Sequence, residues 1–398
     1  MIVIGMILII YGILLLVLAT YKLRFNDNKP IQDNKNHNFA VLIPARDESK
    51  VIEGILKSIK NQTFNINMNN VYVIVESKLD KTVDICKNYD ANVLFRTNLN
   101  HKRKGYALDE AIKQINKKYD AYFIFDADNI LDKNYFKEMI KTYDLGYDIG
   151  VGYRNCKNGN DSVVSAVSSL TFSMINTLGN DNRNKWHADI VVSGTGFYIR
   201  GNFIEKWHGY PFNSLTEDYE LSLYASLNSM TSYYNNKAIF YDEQPVKYRQ
   251  TINQRVRWIK GYFTSRKKYI PLIKKQLNKN NKNYGSQYNT CIGVKPYIYI
   301  VIGLILCVIK LLLKIIVGKR KLVILKILLF LVLAIYLILI FATIIMLKKD
   351  KLNINNKMKI KAILYNPIYL LTYIPCAIKA LICKDVVWKK VEHNVNIN

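Results

Sequence analysis

The sequence predicts an α/β fold flanked by membrane-spanning helices, and three observations lead to that prediction. Short apolar runs alternate with polar, helix-like stretches from Phe39 onward, a pattern typical of strand–helix–strand units. Two uncharged segments, Ile2–Thr20 and Ile327–Leu347, are long enough to cross a hydrocarbon core of about 30 Å as helices. Two carboxylates, Asp126 and Asp128, end one of the apolar runs, as expected for a ligand site at a sheet edge.

The composition favours a membrane-bound protein that handles anionic molecules. The chain has 398 residues, is 50% hydrophobic and yet carries a formal net charge of +27. This combination suits a protein held against an anionic membrane face, with nucleic acid as the other usual partner of a basic chain. Six cysteines without a C-x-x-C pair, together with five scattered histidines, predict neither a zinc site nor a disulfide framework.

The N-terminal segment predicts a membrane anchor rather than a secretory signal. No Lys or Arg precedes the uncharged run, and no small-residue cleavage site follows it. Lys22 and Arg24 come directly after it, so the positive-inside rule places the next domain in the cytoplasm. We therefore expect a transmembrane helix at 1–21 and a polar linker at 22–38.

Strands and helices then alternate as far as Asp128. Such alternation predicts parallel strands with right-handed crossovers. The expected strands are Phe39–Ile43, Val71–Val75, Ala91–Phe95 and Ala121–Phe125, and the expected helices are Ser49–Lys60, Thr82–Tyr89 and Gly105–Lys117.

The pattern from Asn129 to Thr290 is less regular, and 39–290 is expected to form one cytoplasmic domain. A basic amphipathic helix near its end is expected to lie close to the membrane surface. The expected elements are an edge strand at Asp148–Arg154, a helix at Val163–Leu178, a strand within Ile190–Ile199, a helix at Asp218–Leu227, a strand at Lys237–Tyr241 and the basic helix at Gln254–Lys268.

The C-terminal part predicts further membrane segments. We expect two transmembrane helices within 296–347, a polar loop at 348–361, a third membrane or interfacial segment at 362–383 and a polar tail at 384–398. If both helices span the membrane, the basic link Lys319–Lys321 lies outside, against the positive-inside rule.

Asp126 and Asp128 are candidates for a metal site. They follow the run Ala121–Phe125, where a strand ends and a loop begins. Carboxylates two residues apart can both reach one hard cation, and that ion would neutralise a diphosphate. For this pair taken alone, a solvated turn that closes a strand is the alternative interpretation.

Polar clusters follow the first three predicted strands. The cluster 44–48 precedes a helix and offers backbone N–H groups to a phosphate or a base edge, and the cluster 76–82 offers an acidic group to a nucleoside. The basic cluster 101–105 places cations where a diphosphate would lie. Taken singly, each cluster also fits a polar turn or a solvated surface.

Two more clusters lie later in the chain. Asp218, in Thr-Glu-Asp, suits the base that an incoming hydroxyl needs when it displaces a phosphate leaving group, whereas a capped first helical turn is the alternative. Gln254, Arg257 and Trp258 combine planar polar donors with a flat apolar face, which suits a sugar. A basic interfacial helix with a Trp anchor is the alternative there.

Together these motifs resemble one family. The ordered set PARDE, E-S-x-x-D-x-T, KRKGYAL, DADN, SGTG, TED, DEQP and QRVRW, placed between membrane segments, resembles the membrane-bound family 2 glycosyltransferases, which include cellulose, hyaluronan and poly-N-acetylglucosamine synthases. The resemblance covers roughly Phe39–Tyr262. The tail Trp388–His393 is similar to that family's W-x-x-T-x-H ending, with Val391 at the usual Thr.

The resemblance implies a cytoplasmic GT-A type nucleotide-sugar domain with a Rossmann-like mixed sheet and a requirement for Mg²⁺ or Mn²⁺. It implies an inverting transfer in which Asp218 is the general base and Glu217 stands beside it. Asp128 would contact the metal at the diphosphate, and the neighbouring Asp126 would contact the donor. The residues implied in binding are Ala45, Arg46, Glu48, Glu76 and Lys104 for uridine and diphosphate, Gln254, Arg257 and Trp258 for diphosphate and acceptor sugar, and Gly194 and Thr195 for the acceptor. Glu76 stands where the family usually has Asp.

From this resemblance we expect transfer of N-acetylglucosamine from a UDP-sugar to a growing polysaccharide, by a multi-pass protein of the cell membrane. A single addition to a lipid-linked acceptor is the nearest alternative, and a membrane-tethered protein that binds anionic ligands without catalysis is an alternative of another class. The expected partners are the UDP-sugar, the acceptor and the lipid bilayer, without nucleic acid. Accessory synthase subunits are a further partner class that the resemblance leaves open.

Overall fold

The computed structural model describes residues 1–31, 37–317 and 321–383. The polar tail at 384–398, with its Trp388–His393 motif, lies outside the described residues, as do Lys319 and Arg320 of the basic link.

One sheet of eight strands forms the centre of the molecule. The strands are β1 (Phe39–Pro44), β2 (Val71–Val75), β3 (Asn92–Phe95), β4 (Ala121–Ile124), β5 (Ile130–Leu131), β6 (Ile149–Cys156), β7 (Phe197–Arg200) and β8 (Ser232–Asp242). Their order across the sheet is β3-β2-β1-β4-β7-β6-β8-β5. β1 pairs in parallel with β2 and β4, and β2 with β3, whereas β7 is antiparallel to both β4 and β6. The carboxyl ends of β1, β2 and β4 therefore meet at one edge, where ligands of α/β sheets bind.

Fifteen helices are present within the described ranges. Those that precede β7 are α1 (Ile2–Lys22), α2 (Ile52–Lys60), α3 (Thr82–Asn88), α4 (Lys104–Gln114), α5 (Tyr135–Asp144), α6 (Val163–Met174) and α7 (Asp181–Asn184). Those that follow it are α8 (Gly201–Trp207), α9 (Glu217–Leu227), α10 (Tyr248–Gln276), α11 (Tyr284–Ile292), α12 (Lys295–Val317), α13 (Lys321–Lys349), α14 (Asn356–Leu371) and α15 (Tyr373–Ile382). A π-helical turn, Ile175–Asn180, joins α6 to α7.

The sheet is buried on both faces because its strands alternate between two apolar layers. Val41, Ile43 and Val73 belong to the core beneath α2 and α5, whereas Leu42 and Ile74 belong to the core beneath α4. All five side chains are at most 2% exposed, and burial of each contributes about 1.5–3 kcal/mol before the entropy cost is subtracted. This near-continuous apolar pattern is what the sequence showed as short apolar runs.

The segment expected as an edge strand is instead interior. β6 lies between β7 and β8, so the expectation of an edge at Asp148–Arg154 was wrong. Gly150 and Gly152 make that position possible, because an added Cβ would lie 2.2 Å from the Tyr198 ring and 2.7 Å from the Tyr135 ring. The two tyrosines cover the strand where a side chain would otherwise stand.

The Ser193–Gly196 segment is a loop, although a strand was expected around it. Gly194 and Gly196 have φ of +85° and +67°, a region that L side chains rarely adopt and that regular strands do not contain. The strand that follows begins only at Phe197. The loop therefore carries its residues past the end of β4 toward the ligand edge of the sheet.

Three helical segments of the described chain are long and apolar enough to cross a membrane: Ile2–Phe25, Tyr284–Ile315 and Leu322–Lys349. The first packs along α12, and an added Cβ on Gly5 would lie 2.7 Å from the carbonyl oxygen of Gly303. Small residues permit this close backbone approach, as is common between membrane helices.

The last apolar segment forms two shorter helices, α14 and α15, which meet at Thr372. Neither is among the three helical segments that meet both the length and the hydropathy requirement within the described residues. α14 packs on α6, and α15 packs on α10 through Val256, Cys376 and Ala380. Both helices thus lie against the α/β domain.

Candidate active site

The carboxylates after β4 are held in place by a loop on the opposite side of the sheet edge. The backbone N–H of Asp126 donates to Thr195 Oγ1 at 2.8 Å, and the Thr195 hydroxyl donates in turn to Asn129 Oδ1. The Asn129 amide donates to Asp128 Oδ1 at 3.3 Å and to Asp242 Oδ1 at 2.9 Å. Asn129 is fully buried, and it holds the carboxylates of Asp128 and Asp242 and the backbone of Asp126 around one side chain.

Asp126, Asp128 and Asp242 form a candidate metal site. One carboxylate oxygen from each lies within 4.8 Å of the others. Oxygen donors of this kind suit Mg²⁺ or Mn²⁺. Asp126 and Asp128 come from the end of β4, and Asp242 is the last residue of β8, so the sheet brings together residues that lie far apart in the chain.

Two cations balance part of the charge at these carboxylates. Lys104 Nζ, in the first turn of α4, donates to Asp126 Oδ1 at 2.5 Å and to the carbonyl oxygen of Gly194 at 2.8 Å. Arg154 donates through Nε and Nη2 to Asp242 Oδ2 at 3.0 and 2.6 Å. Three carboxylates against two cations leave one negative charge, which fits the binding of a divalent cation together with an anionic ligand.

The second carboxylate pair stands at the start of α9. Thr216 precedes the helix, but its side chain makes no capping hydrogen bond, so the capped-turn alternative is not what the structure contains. Burial and, to a smaller extent, the negative charge of Asp218 raise the pKa of Glu217 to about 7. Burial also raises the pKa of Asp218, opposed by the hydrogen bond from Tyr219 N–H and by the charges of Arg257, Lys104 and Arg154.

The residues after β2 form an ion-paired group beside the sheet edge. Glu76 Oε2 accepts from Arg46 Nε at 3.0 Å, and Glu76 Oε1 accepts from Arg96 Nη1 at 3.3 Å. Arg96 also pairs with Glu110 of α4 at 3.0 Å. Glu76 is therefore oriented by Arg46 and Arg96, and both guanidinium groups line the same cavity as Glu76.

The Gln-Arg-Trp cluster lies on α10, which crosses over the cleft. Arg257 donates to the carbonyl oxygen of Leu215, directly before the Thr-Glu-Asp motif, at 3.2 Å. The Trp258 ring meets Phe172 edge to face at 5.9 Å, and the guanidinium of Arg154 lies 3.7 Å over that same phenylalanine ring. The aromatic pair thus connects α10 with the arginine that holds Asp242.

A single cavity of about 1890 Å³ joins these groups. Its walls include all but one of the expected site residues: Ala45, Arg46, Glu48, Glu76, Lys104, Asp126, Asp128, Gly194, Glu217, Asp218, Gln254, Arg257 and Trp258. Thr195 is fully buried beneath the wall and acts on Asp126 through the hydrogen bond described above. The cavity continues between α1, α12 and α15, where its walls become apolar.

Sequence reasoning missed three residues of this centre. Asp242 stood within the DEQP motif but received no role, although a carboxylate at the end of a predicted strand follows the same pattern as Asp126 and Asp128. Asn129 belonged to DADN and was treated as part of the turn. Arg154 had no signal in the linear sequence, because only the pairing of β6 with β8 brings it to Asp242.

The arrangement suits displacement at a carbon that carries a diphosphate. A polar region with Arg46, Arg96 and Glu76 lies at one end, and the three clustered carboxylates lie next to it. The Asp218 carboxylate also lines the cavity, and a carboxylate is able to accept a proton. A positioned base and a stabilised leaving group are the two requirements of such a reaction.

Known proteins share both this sequence pattern and this fold. A family model described as Glycosyltransferase like family 2 matches residues 37–261. The probable glycosyltransferase YdaM of Bacillus subtilis (strain 168) is 25% identical over 230 residues, 56% of this chain and 54% of that protein, so the chain spans about half the length of this curated relative.

One solved structure shares the fold over nearly the whole chain. The mannosyltransferase PcManGT from Pyrobaculum calidifontis, in complex with GDP-Man and Mn²⁺, has a TM-score of 0.62 at 12% identity and covers 96% of this chain and 99% of its own. S. aureus TarS 1-349 has a TM-score of 0.43 at 16% identity over 64% of this chain and 70% of its own. The family match extends over more than half of the sequence, and the chain therefore belongs to the family 2 glycosyltransferases, with a GT-A fold.

Proposed function

We propose that this glycosyltransferase is a membrane-bound, metal-dependent, inverting enzyme that takes its sugar from a UDP-sugar. The observation that carries the proposal is the shared cavity, in which Asp128, Asp218 and Trp258 line walls formed by different elements. Asp128 would serve the leaving group, Asp218 the proton and Trp258 the sugar, and all three line the same cavity. A protein that only bound anions would not need these carboxylates in its binding cavity.

The donor's diphosphate would lie between the clustered carboxylates and the cations. A divalent ion, when bound by Asp126, Asp128 and Asp242, supplies positive charge that stabilises the leaving diphosphate. Lys104 and Arg257 also line the cavity and would add fixed positive charge beside the diphosphate. The same two charges act on the Asp218 carboxylate. In this proposal Ala45, Arg46, Glu48 and Glu76 contact the nucleoside.

Asp218 is the base in this proposal. The acceptor hydroxyl gives its proton to the Asp218 carboxylate while its oxygen forms a bond to the anomeric carbon of the donor sugar. The bond from that carbon to the diphosphate oxygen breaks on the opposite face, and the diphosphate leaves with the bonding electrons. The configuration at the anomeric carbon is thereby inverted.

We propose a growing polysaccharide as the acceptor, with N-acetylglucosamine as the unit. The support is the aromatic surface of Trp258, packed against Phe172 at 5.9 Å, since sugar rings stack on such faces. Gly194, whose backbone borders Asp218, and Gln254 would complete the acceptor subsite.

A second acceptor is favoured by a different observation. The cavity continues from Asp218 between α1, α12 and α15, where Leu16, Ile302 and Ile374 are among the apolar side chains that line it. An oligosaccharide would gain little from such walls, whereas the hydrocarbon chain of a lipid-linked acceptor would be removed from water there. This supports a single addition to a lipid-linked acceptor.

Incubation of the full chain in lipid nanodiscs with a panel of UDP-sugars and GDP-mannose, with Mg²⁺ or Mn²⁺, tests the proposal. Nucleoside diphosphate release identifies the donor, and product mass distinguishes one added sugar from many. Release from a UDP-sugar alone supports the donor assignment, and release from GDP-mannose alone overturns it. No release with any donor would favour the anion-binding alternative.

Asp218→Asn should retain UDP binding and lose transfer by about 10²–10⁴-fold, since the amide cannot take the hydroxyl proton. Transfer rate and UDP affinity are measured on the same preparation. Asp84→Asn on the exposed face of α3 is the matched control and should behave as wild type. A variant at 218 that transfers at the wild-type rate removes the assignment.

A further inference from the structure

The membrane-side half of the cavity contains two arginines in addition to its apolar walls. Arg183 of α7 and Arg266 of α10 both line the cavity beyond Asp218. Both are partly buried, and both lie where the α/β domain meets the segment that connects it to the second membrane helix. Neither belongs to the donor site described above.

Arg183 is held at the junction by neutral acceptors. It donates through Nη1 to the carbonyl oxygen of Asp189 at 3.0 Å and through Nη2 to Asn289 Oδ1 at 2.6 Å. The Asn289 amide donates in turn to the carbonyl oxygen of Ala19, near the end of α1, at 3.3 Å. The guanidinium therefore stands directly below the first membrane helix.

Arg266 is held in the same way at the second membrane helix. It donates through Nη1 to the carbonyl oxygen of Thr290 at 2.6 Å and through Nη2 to that of Cys291 at 3.1 Å. These two residues lie in the last turn of α11, shortly before α12 begins. The guanidinium is thus fixed at the entrance between the membrane helices.

Tyr219 connects the two arginines to the proposed base. It follows Asp218 in the chain, its ring stacks on Tyr262 at 5.0 Å, and its hydroxyl accepts from Arg266 Nη1 at 3.4 Å. Tyr219 also acts electrostatically on Arg183, where it opposes the lowering of the guanidinium pKa by burial. The order along the cavity is therefore apolar helices, arginine pair, Tyr219 and Asp218.

Within the described residues, neither arginine of the pair forms an ion pair with a carboxylate. The charge of the buried Asp189 nevertheless acts on Arg183. Burial raises the pKa of Asp189 to about 6, so at neutral pH its carboxylate offsets part of the Arg183 charge. Each guanidinium has five N–H groups and only two or three hydrogen bonds to protein acceptors, so donors remain for a ligand.

We propose that Arg183 and Arg266 bind the phosphate of an anionic lipid acceptor. Its hydrocarbon chain would lie between α1, α12 and α15, its phosphate at the arginine pair, and its sugar hydroxyl at Asp218. The molecule that fits this order is a lipid with a phosphate or diphosphate between its chain and its sugar. The inference rests on the proposed glycosyltransferase function and decides between its two acceptors.

The test compares three probes on the full chain in nanodiscs made of neutral lipid. The first is N-acetylglucosamine linked through a diphosphate to a farnesyl chain, the second is the farnesyl glycoside of the same sugar without phosphate, and the third is inorganic diphosphate. Binding is measured directly, so the result does not depend on turnover. UDP affinity is measured in parallel on every sample.

Wild type should bind the diphosphate-linked probe about tenfold or more tightly than the neutral glycoside, as expected for hydrogen bonds to a charged group. Arg183→Gln with Arg266→Gln should remove that difference and leave binding of the neutral glycoside unchanged. The Lys variants at both positions should restore part of it. Arg249→Gln, an exposed arginine of α10, is the matched control and should retain the full difference.

Three results would overturn the inference. If the wild-type protein binds both farnesyl probes with equal affinity, it has no phosphate site. If the double Gln variant still binds the diphosphate-linked probe more tightly than the neutral glycoside, the phosphate site lies elsewhere. Inorganic diphosphate that displaces the lipid probe at equal concentration would show that the arginines bind a free anion. Retained UDP affinity shows that each variant is folded, and lack of UDP binding by wild type would count against the proposed donor rather than against the arginine site.

Discussion

Glu217 and Asp218 are adjacent buried carboxylates, and different contacts act on the pKa of each. Asp218 accepts a backbone hydrogen bond at 2.8 Å and stands near three cations, whereas the pKa of Glu217 is raised to about 7 by burial and by the Asp218 charge. Burial thus raises the pKa of both carboxyl groups, and the two titrate as a pair. An ionised Asp218 is the state that the proposed general base requires.

Glu217→Gln should stabilise the protein at pH 8 by about 1–3 kcal/mol and have little effect at pH 5. A carboxyl whose pKa is raised on folding is stabilising while protonated, and that stability is lost as pH rises through its folded value near 7. The groups facing it are Asp218, Lys104, Arg257 and Tyr210. Unfolding in detergent at both pH values measures the effect, and an equal gain at both would contradict the assignment.

Asp128→Asn should weaken Mn²⁺ binding by about tenfold or more, because one charged oxygen ligand is replaced by an amide. Direct Mn²⁺ titration by electron paramagnetic resonance measures this without turnover. Asp161→Asn, an exposed carboxylate outside the cavity walls, is the control. Activity that persists in excess chelator, or unchanged Mn²⁺ affinity in the variant, would remove Asp128 from the metal site.

At the scale of elements, β6 connects the end of the apolar helix α13 to the carboxylate cluster. Its side chains alternate, so Arg154 faces Asp242 while its two neighbours Tyr153 and Asn155 face the segment that follows α13. Tyr153 donates to Asp350 Oδ1 at 2.5 Å, and the Ser173 hydroxyl of α6 donates to the other oxygen of that carboxylate. A shift of the α13 end would therefore act on the strand that holds Arg154.

Asp350→Ala should lower the free energy of unfolding by about 1–3 kcal/mol, because the buried Tyr153 hydroxyl loses a charged acceptor. Transfer should fall as well, although Asp350 lies outside the cavity walls. Denaturant unfolding and transfer rates are compared with Lys351→Gln, an exposed neighbour whose side chain makes no such contact. Wild-type stability of the Ala variant would contradict the proposed connection.

At the scale of the whole molecule, the three helices that are long and apolar enough to cross a membrane contact the α/β domain by one end each. Asn289 reaches Ala19 near the end of α1, Tyr262 accepts from the N–H of Val294 just before α12, and Asp350 follows α13 directly. If all three helices span, these ends lie on one side of the bilayer together with the domain. Lys22 and Arg24 then place that side in the cytoplasm.

Leu79→Cys tests this orientation, since residue 79 is 93% exposed on the α/β domain. In intact cells a membrane-impermeant maleimide should leave the introduced thiol unlabelled, and permeabilised cells should show full labelling. Four of the native cysteines are buried, so their background is low. Labelling in intact cells would place the domain outside and contradict the orientation.

The sequence determined the features that depend on local patterns. Apolar runs of strand length predicted β1, β2 and β4 nearly to the residue, and long apolar segments, two of them uncharged, predicted three apolar helices, because side-chain periodicity and hydropathy can be read directly from the sequence. All of the site residues named from the motifs except Thr195 line the cavity. Their roles in catalysis remain predictions for the experiments above.

Only the tertiary structure decided which distant residues share one space. The pairing of β6 with β8 brings Arg154 to Asp242, and the positive φ of Gly194 and Gly196 turns an expected strand into a loop. The packing of α1, α12 and α15 joins an apolar space with two arginines to the carboxylates. Strand pairing and helix packing depend on contacts between residues far apart in the chain, and a linear pattern does not contain them.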